Sequence, residues 1–254
     1  SPDLANDTQG TLTEARRQSG KLYFLGEQFD NAARQYQHLT TLEPGVGENW
    51  LIYGGSLFKA KYYNEAVPAL EQALLLAPDS CDAGKMLGDS YLFLASGKDR
   101  TQAERDSMYE SARQAYNSTM LHCPGAASCD LFVRVGKLNR IKKAYVEMAT
   151  AYGQAVACDS TIADTWLQLG LAYFYQSTYD KAIPALQRAI QRDGSSALAY
   201  LNLGLSYYGK SQWPEAAQTL ARADSLLPQD QVQARSNALG WAGWAQTYQK
   251  DLVG

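Results

Sequence analysis

The chain has 254 residues, is 46% hydrophobic and carries a formal net charge of −3, enough apolar content for a continuous core and too little positive charge for a general attraction to nucleic acid or anionic lipid. No apolar run approaches the length of about 18 residues that a membrane-spanning helix needs. The first residues, Ser1-Pro2-Asp3, are neither an initiator methionine nor a signal peptide and read as a processed or trimmed start.

Residues 1–12 show no repeat and form an N-terminal extension. Residues 13–46 hold Gly20, Tyr23, Ala32, Tyr36 and Pro44, and 34 positions on, residues 47–80 hold Trp50, Tyr53, Gly54, Ala66, Ala73 and Pro78. Each block contains two stretches with apolar residues at i, i+3, i+4 and i+7 around a short polar turn, Gly26-Glu27-Gln28-Phe29 in the first and Lys61-Tyr62-Tyr63 in the second. That spacing predicts an antiparallel helix pair. Glycine falls where the two helices approach closely, and the closing Pro44 and Pro78 end the second helix because proline cannot continue it. In the first block Arg16 and Ser19 stand where later blocks are apolar, as suits a terminal repeat facing solvent.

The third block, 81–126, begins regularly with Cys81, Leu87, Gly88 and Tyr91 but resumes its second helix only at Tyr109, Ala112 and Tyr116, after a 12-residue insertion. The inserted segment, about Ser96 to Ser107, is polar and charged, which predicts a protruding loop or an extended helix end. The fourth block, 129–162, fits weakly: Phe132, Val135, Gly136, Met148, Tyr152 and Ala155 hold the anchor positions, Asn139 replaces an aromatic and Ser160 a proline. Regularity returns in 163–196 with Trp166, Leu169, Gly170, Tyr173, Ala182 and Ala189, and in 197–230 with Tyr200, Leu203, Gly204, Tyr207, Ala216, Ala223 and Pro228. Residues 231–254 read as one further helix, with Leu239, Trp241, Trp244 and Tyr248 and no partner after it.

These anchors resemble the tetratricopeptide repeat, W-x2-L-G-x2-Y followed by small, aromatic and proline positions at fixed offsets. The resemblance implies an all-α, right-handed superhelical solenoid of six helix hairpins plus a C-terminal helix. It implies a protein-binding scaffold whose concave face is lined by the first helix of each hairpin.

All four cysteines lie in the two irregular repeats. Cys81 and Cys129 open first helices while Cys123 and Cys158 close second helices, so both pairs meet at one end of an antiparallel hairpin, and disulfides Cys81–Cys123 and Cys129–Cys158 are expected. Reduced buried cysteines, or a zinc site joining His122 to Cys123 and Cys129, are the alternatives, the latter lacking paired C-x2-C spacing. Disulfides place the protein in the periplasm, on the cell surface or outside the cell. The sequons at Asn6 and Asn117 are compatible with that address.

No catalytic pattern is present: His38 and His122 lie near the ends of second helices without a repeated acidic or cysteine partner, and no phosphate loop, H-E-x-x-H or nucleotide-binding glycine motif occurs. The chain is therefore expected to be no enzyme, with no metal and no cofactor. Mapping onto first helices gives a candidate groove of Leu51, Phe58, Phe93, Leu171, Phe174, Tyr175, Leu205 and Tyr208, with a basic stripe of Arg134, Lys137 and Arg140 suited to an acidic peptide or simply solvated. Leu239, Trp241, Trp244 and Tyr248 form a candidate self-association end. The expected role is a protein- or peptide-binding scaffold of the envelope or exterior, and the alternative is a subunit that polymerises end to end into an extracellular filament.

Overall fold

The computed structural model describes the backbone of residues 2–123 and 126–253 and the side chains of 10–123, 129–231 and 233–247. The protein is all-α: among the described residues every element is a helix. The chain falls into two compact units, Ser1–Leu131 and Phe132–Gly254.

In the first unit α1 (Pro2–Leu25) pairs with α2 (Phe29–Leu42), α3 (Gly47–Lys59) with α4 (Tyr63–Leu76), and α5 (Cys81–Ala95) with α6 (Gln102–His122). α7 (Ala126–Ile141) runs across the boundary. In the second unit α9 (Ala163–Tyr175) pairs with α10 (Tyr179–Arg192), and α11 (Ala197–Gly209) with α12 (Trp213–Leu226), while α8 (Tyr145–Cys158) packs on α9 and α13 (Val232–Val253) on α12. Within the expected extension 1–12, residues 2–12 are not a separate segment but the opening turns of α1. α7 begins a turn before Cys129, because Ala126 and Ala127 are good helix formers.

One contact recurs in all six hairpins. A glycine of the first helix lies under a bulky residue of the second: Gly20 under Tyr36, Gly54 under Leu70, Gly88 under Tyr116, Gly136 under Tyr152, Gly170 under Leu186 and Gly204 under Leu220. A Cβ at any of these glycines would come within 2.9 Å of that side chain, so the two helix axes can approach as they do only over glycine. The flanking second-helix alanines, Ala32, Ala66, Ala112, Ala182 and Ala216, are fully buried and let the helices close along the same seam.

Five of the hairpins also turn identically. Glu27, Lys61, Lys143, Ser177 and Ser211 each take a left-handed φ between 56° and 67° two residues before the second helix begins. The third hairpin has no such residue. Its insertion forms a turn after Ala95 and lengthens α6 to 21 residues, started by a capping box in which Thr101 and Glu104 bond reciprocally. Arg105 then fastens the turn by donating to the carbonyls of Ala95 and Gly97 at 2.5 and 2.8 Å.

Cys81 and Cys123 form a disulfide with Cα atoms 5.8 Å apart, stapling the start of α5 to the end of this lengthened helix. Cys129 and Cys158 are also disulfide-bonded, and no described cysteine is free.

Candidate partner-binding site

The first residue of each second helix is aromatic in five hairpins, Phe29, Tyr63, Tyr145, Tyr179 and Trp213, because the tight turn leaves that side chain beside the end of the first helix. In four of the five it meets an aromatic five residues earlier: Phe24 with Phe29 at 5.6 Å, Phe58 with Tyr63 at 5.6 Å, Phe174 with Tyr179 at 6.0 Å and Tyr208 with Trp213 at 5.0 Å between ring centres; Tyr145 has Arg140 there instead.

In two places a ring from the following repeat is laid face to face on the aromatic that opens the second helix. Phe93 stacks on Tyr63 at 4.7 Å and 12° in the first unit, and Tyr175 stacks on Tyr145 at 4.7 Å and 22° in the second. Both added rings come from the residue 30 positions later, and both remain about half exposed, Phe93 at 48% and Tyr175 at 51%. Gln176 holds the second stack in place by donating to the Tyr145 carbonyl at 2.8 Å. In each stack the added ring is about half exposed and its partner, Tyr63 or Tyr145, is half-buried.

The structure thus brings Phe58 together with Phe93 at 6.1 Å and Phe174 with Tyr175 at 5.6 Å. Leu51, Phe58, Phe174, Leu205 and Tyr208 are half-buried against the cores of their own units. Leu171 departs from the groove assignment: it is buried in a core cluster drawn from α8, α9, α10 and α11, so its side of the helix is covered rather than open. Arg134 is half-buried and engaged, whereas Lys137 and Arg140 are exposed. Of the terminal residues, Trp241 packs on Tyr208 at 5.0 Å and on Trp244 at 5.1 Å, so it belongs to the covered side of α13; Leu239 and Trp244 are exposed. Asn117 is exposed on α6. The side chains of Asn6 and Tyr248 lie outside the described residues.

Two features were not foreseen from the sequence. Tyr145, in the most irregular repeat, supplies half of a stack, and the signal was its place directly after the turn Lys142-Lys143-Ala144. A cleft of about 590 Å³ also opens between α3 and α4, lined by Trp50, Tyr53, Glu65, Pro68, Ala69 and Gln72.

The ionisable groups show structural causes for their shifts. Asp159 and Asp193 are held below the usual carboxylate range by hydrogen bonds from Thr161 and Ser195 in equivalent turns, and Asp224 by Arg235. Burial pushes Tyr36 up to about 12 and raises Tyr152 further. Among the described residues no cluster of three or more His, Cys, Asp or Glu side chains could hold a metal, and no helix is long and apolar enough to cross a membrane.

The hairpin geometry and the sequence agree with one family. Residues 47–80 and 167–231 each match a model of the tetratricopeptide repeat, so the chain carries tetratricopeptide repeats over those spans. Solved structures share the fold at low identity. YrrB, described as a TPR protein with an unusual peptide-binding site, is 17% identical with a TM-score of 0.67 over 82% of this chain and 98% of its own. The C-terminal part of a TPR repeat-containing protein from Cytophaga hutchinsonii is 13% identical at a TM-score of 0.66, over 82% of this chain and 78% of its own. The MamA AMB-1 structure is 19% identical at 0.56, over 70% and 96%. No curated protein matches the sequence. The fold is that of protein–protein interaction scaffolds, a class that is generally non-catalytic.

Proposed function

We propose that the chain is a non-enzymatic scaffold that captures an apolar segment of a partner protein on the half-exposed aromatic stacks Phe93–Tyr63 and Tyr175–Tyr145. The observation that carries this reading is the repetition of one stack, with one spacing, in two separate units. Rigid aromatic rings lose little side-chain entropy on binding, and they dominate the energetics of protein recognition sites. The peptide-binding site named for YrrB is consistent with this use of the fold.

Selection of displayed random peptides against the chain tests the proposal. Peptides recovered on the intact protein lose at least tenfold in affinity to Phe93→Ser and Tyr175→Ser if the stacks bind them. Unchanged affinity in both variants would sink the reading.

The oxidised state of all four cysteines supports an oxidising address, in the periplasm, at the cell surface or outside the cell. Thiol alkylation of the protein taken directly from its native compartment, before and after reduction, reads that address as a mass difference. A second reading, end-to-end self-association into a filament, is favoured by the exposure of Leu239 and Trp244 on α13.

A further inference from the structure

We propose that the cleft between α3 and α4 receives the guanidinium of an arginine side chain from a partner protein, held over Trp50 and Tyr53 and against the Glu65 carboxylate. The cleft shares no residue with either aromatic stack, so this binding goes beyond the capture of an apolar segment and does not depend on it.

The cleft has a volume of about 590 Å³ and is lined by Trp50, Tyr53, Glu65, Pro68, Ala69 and Gln72. Two of its walls are aromatic. The rings of Trp50 and Tyr53 stand 6.4 Å apart and tilted by 58°, so they meet at an angle rather than covering one another's faces. Both are half-buried against the core of the first unit, and the Trp50 indole is fixed further by donating to the Pro44 carbonyl at 2.8 Å. A preset ring face suits a cation, because the attraction comes from the ring's quadrupole and a planar guanidinium can lie flat on it.

The charge in the cleft is negative and unpaired. No basic residue lines it, and among the described residues no lysine, arginine or histidine forms an ion pair with Glu65. Burial first, and the Glu65 carboxylate second, hold the Tyr53 hydroxyl above its usual range, which puts that carboxylate within electrostatic reach of the ring. The Gln72 side chain makes no hydrogen bond among the described residues and adds a neutral acceptor. A carboxylate and an amide oxygen beside two ring faces suit the fork of N–H donors that a guanidinium presents.

The sixth hairpin shows what fills such a place. Counted from the seam pairs Gly54–Leu70, Gly170–Leu186 and Gly204–Leu220, Trp50, Trp166 and Tyr200 share one position, and Gln72, Arg188 and Arg222 share another. In the sixth hairpin the Arg222 guanidinium carbon lies over the Tyr200 ring, 5.9 Å from its centre. Glu215 stands there at the position of Glu65. The second hairpin keeps the aromatic residue and the carboxylate, adds Tyr53 where Leu169 and Leu203 stand, and has a neutral glutamine in place of the arginine. The fourth hairpin also has Glu147 and Gln154, but Val135 replaces Tyr53 and leaves it a single aromatic, Phe132. The second hairpin therefore takes its cation from outside, and the arrangement around Arg222 identifies that cation as a guanidinium.

Nuclear magnetic resonance of the full, unreduced chain, following the Trp50 indole N–H during titration with N-acetyl-arginine amide, tests the proposal. The Trp50 signal shifts to saturation, while the neutral isostere N-acetyl-citrulline amide leaves it in place. Glu65→Gln weakens the binding by about fivefold or more. Gln72→Arg, which supplies in cis the residue that the sixth hairpin uses, abolishes it, and an unchanged melting profile in both variants shows that the fold is kept. Phe93→Ser and Tyr175→Ser leave the titration unaltered, which separates this cleft from the stacks. No response to the arginine amide, an equal response to the citrulline amide, or undiminished binding in Glu65→Gln and Gln72→Arg would overturn the proposal. Free L-arginine binding more tightly than the blocked amide would assign the cleft to the amino acid itself and overturn a partner's side chain as its occupant.

Discussion

Gly88 lies beneath the ring of Tyr116, so close that a Cβ on Gly88 would fall 2.2 Å from Cε1. The ring cannot swing away cheaply, because it is fully buried and its hydroxyl donates to the Asp89 carboxylate at 2.5 Å. Gly88→Ala therefore forces α5 and α6 apart and is expected to cost about 1–3 kcal/mol, the range for overpacking a well-filled core. The same change at Gly243, where the added methyl meets nothing, should stabilise by up to about 1 kcal/mol through helix propensity alone. Urea titrations of the two variants check the contrast in sign.

Tyr36 and Tyr152 occupy the seam position of Tyr116, yet their hydroxyls are buried without a hydrogen-bond partner. A buried hydroxyl without a partner is a net cost, so Tyr36→Phe and Tyr152→Phe should be neutral or stabilising by about 1 kcal/mol, while Tyr116→Phe loses a bond to a carboxylate and should cost about 1–2 kcal/mol. The pH dependence follows with a defined sign. Burial raises the folded value of Tyr36 to about 12, above an unfolded value near 10. The folded state then holds its proton where the unfolded state has released it, so stability is intact below pH 10 and falls as pH climbs from 10 toward 12. Tyr36→Phe should flatten that alkaline loss, as read from denaturation midpoints between pH 9 and 12.

The Cys81–Cys123 disulfide closes a loop of 42 residues across the hairpin that carries the insertion. In the chain-entropy model such a loop contributes about 4 kcal/mol. Cys81→Ser with Cys123→Ser should lose an amount of that order, and hydrogen exchange of α5 and α6 amides should accelerate before that of α3 and α4. Equal protection in oxidised and substituted protein would show the staple to be energetically idle.

Much of this architecture was legible in the sequence because the seam needs particular residues at fixed offsets. Gly20, Gly54, Gly88, Gly136, Gly170 and Gly204 announce six hairpins, and the cysteines follow from the antiparallel geometry those hairpins impose. The site was less legible. Period alone places Leu171 and Tyr175 on one first helix, but which of them faces solvent depends on how α8 and α10 pack around α9, and Leu171 is turned inward. Tyr145 was obscured because its own repeat lacks the aromatic of the first helix and takes its stacking partner from the next.

Trp241 and Trp244 read alike in the sequence but sit on opposite accounts of α13. Trp241 meets Tyr208 edge to face at 5.0 Å, and Tyr208 in turn meets Trp213 at the same distance, so the indole joins the last hairpin to the terminal helix. Trp244 touches Trp241 but is exposed at 59%. Trp241→Ala is expected to cost about 2–3 kcal/mol, below the range for a fully buried tryptophan because part of the ring is open to solvent. It should also raise the exchange rates of amides along α12 and α13. Trp244→Ala should change stability by no more than about 0.5 kcal/mol. A loss of self-association in Trp241→Ala would therefore follow from loosening α13 and carries no information about its outer face. The same loss in Trp244→Ala, with exchange unchanged, reports on that face alone.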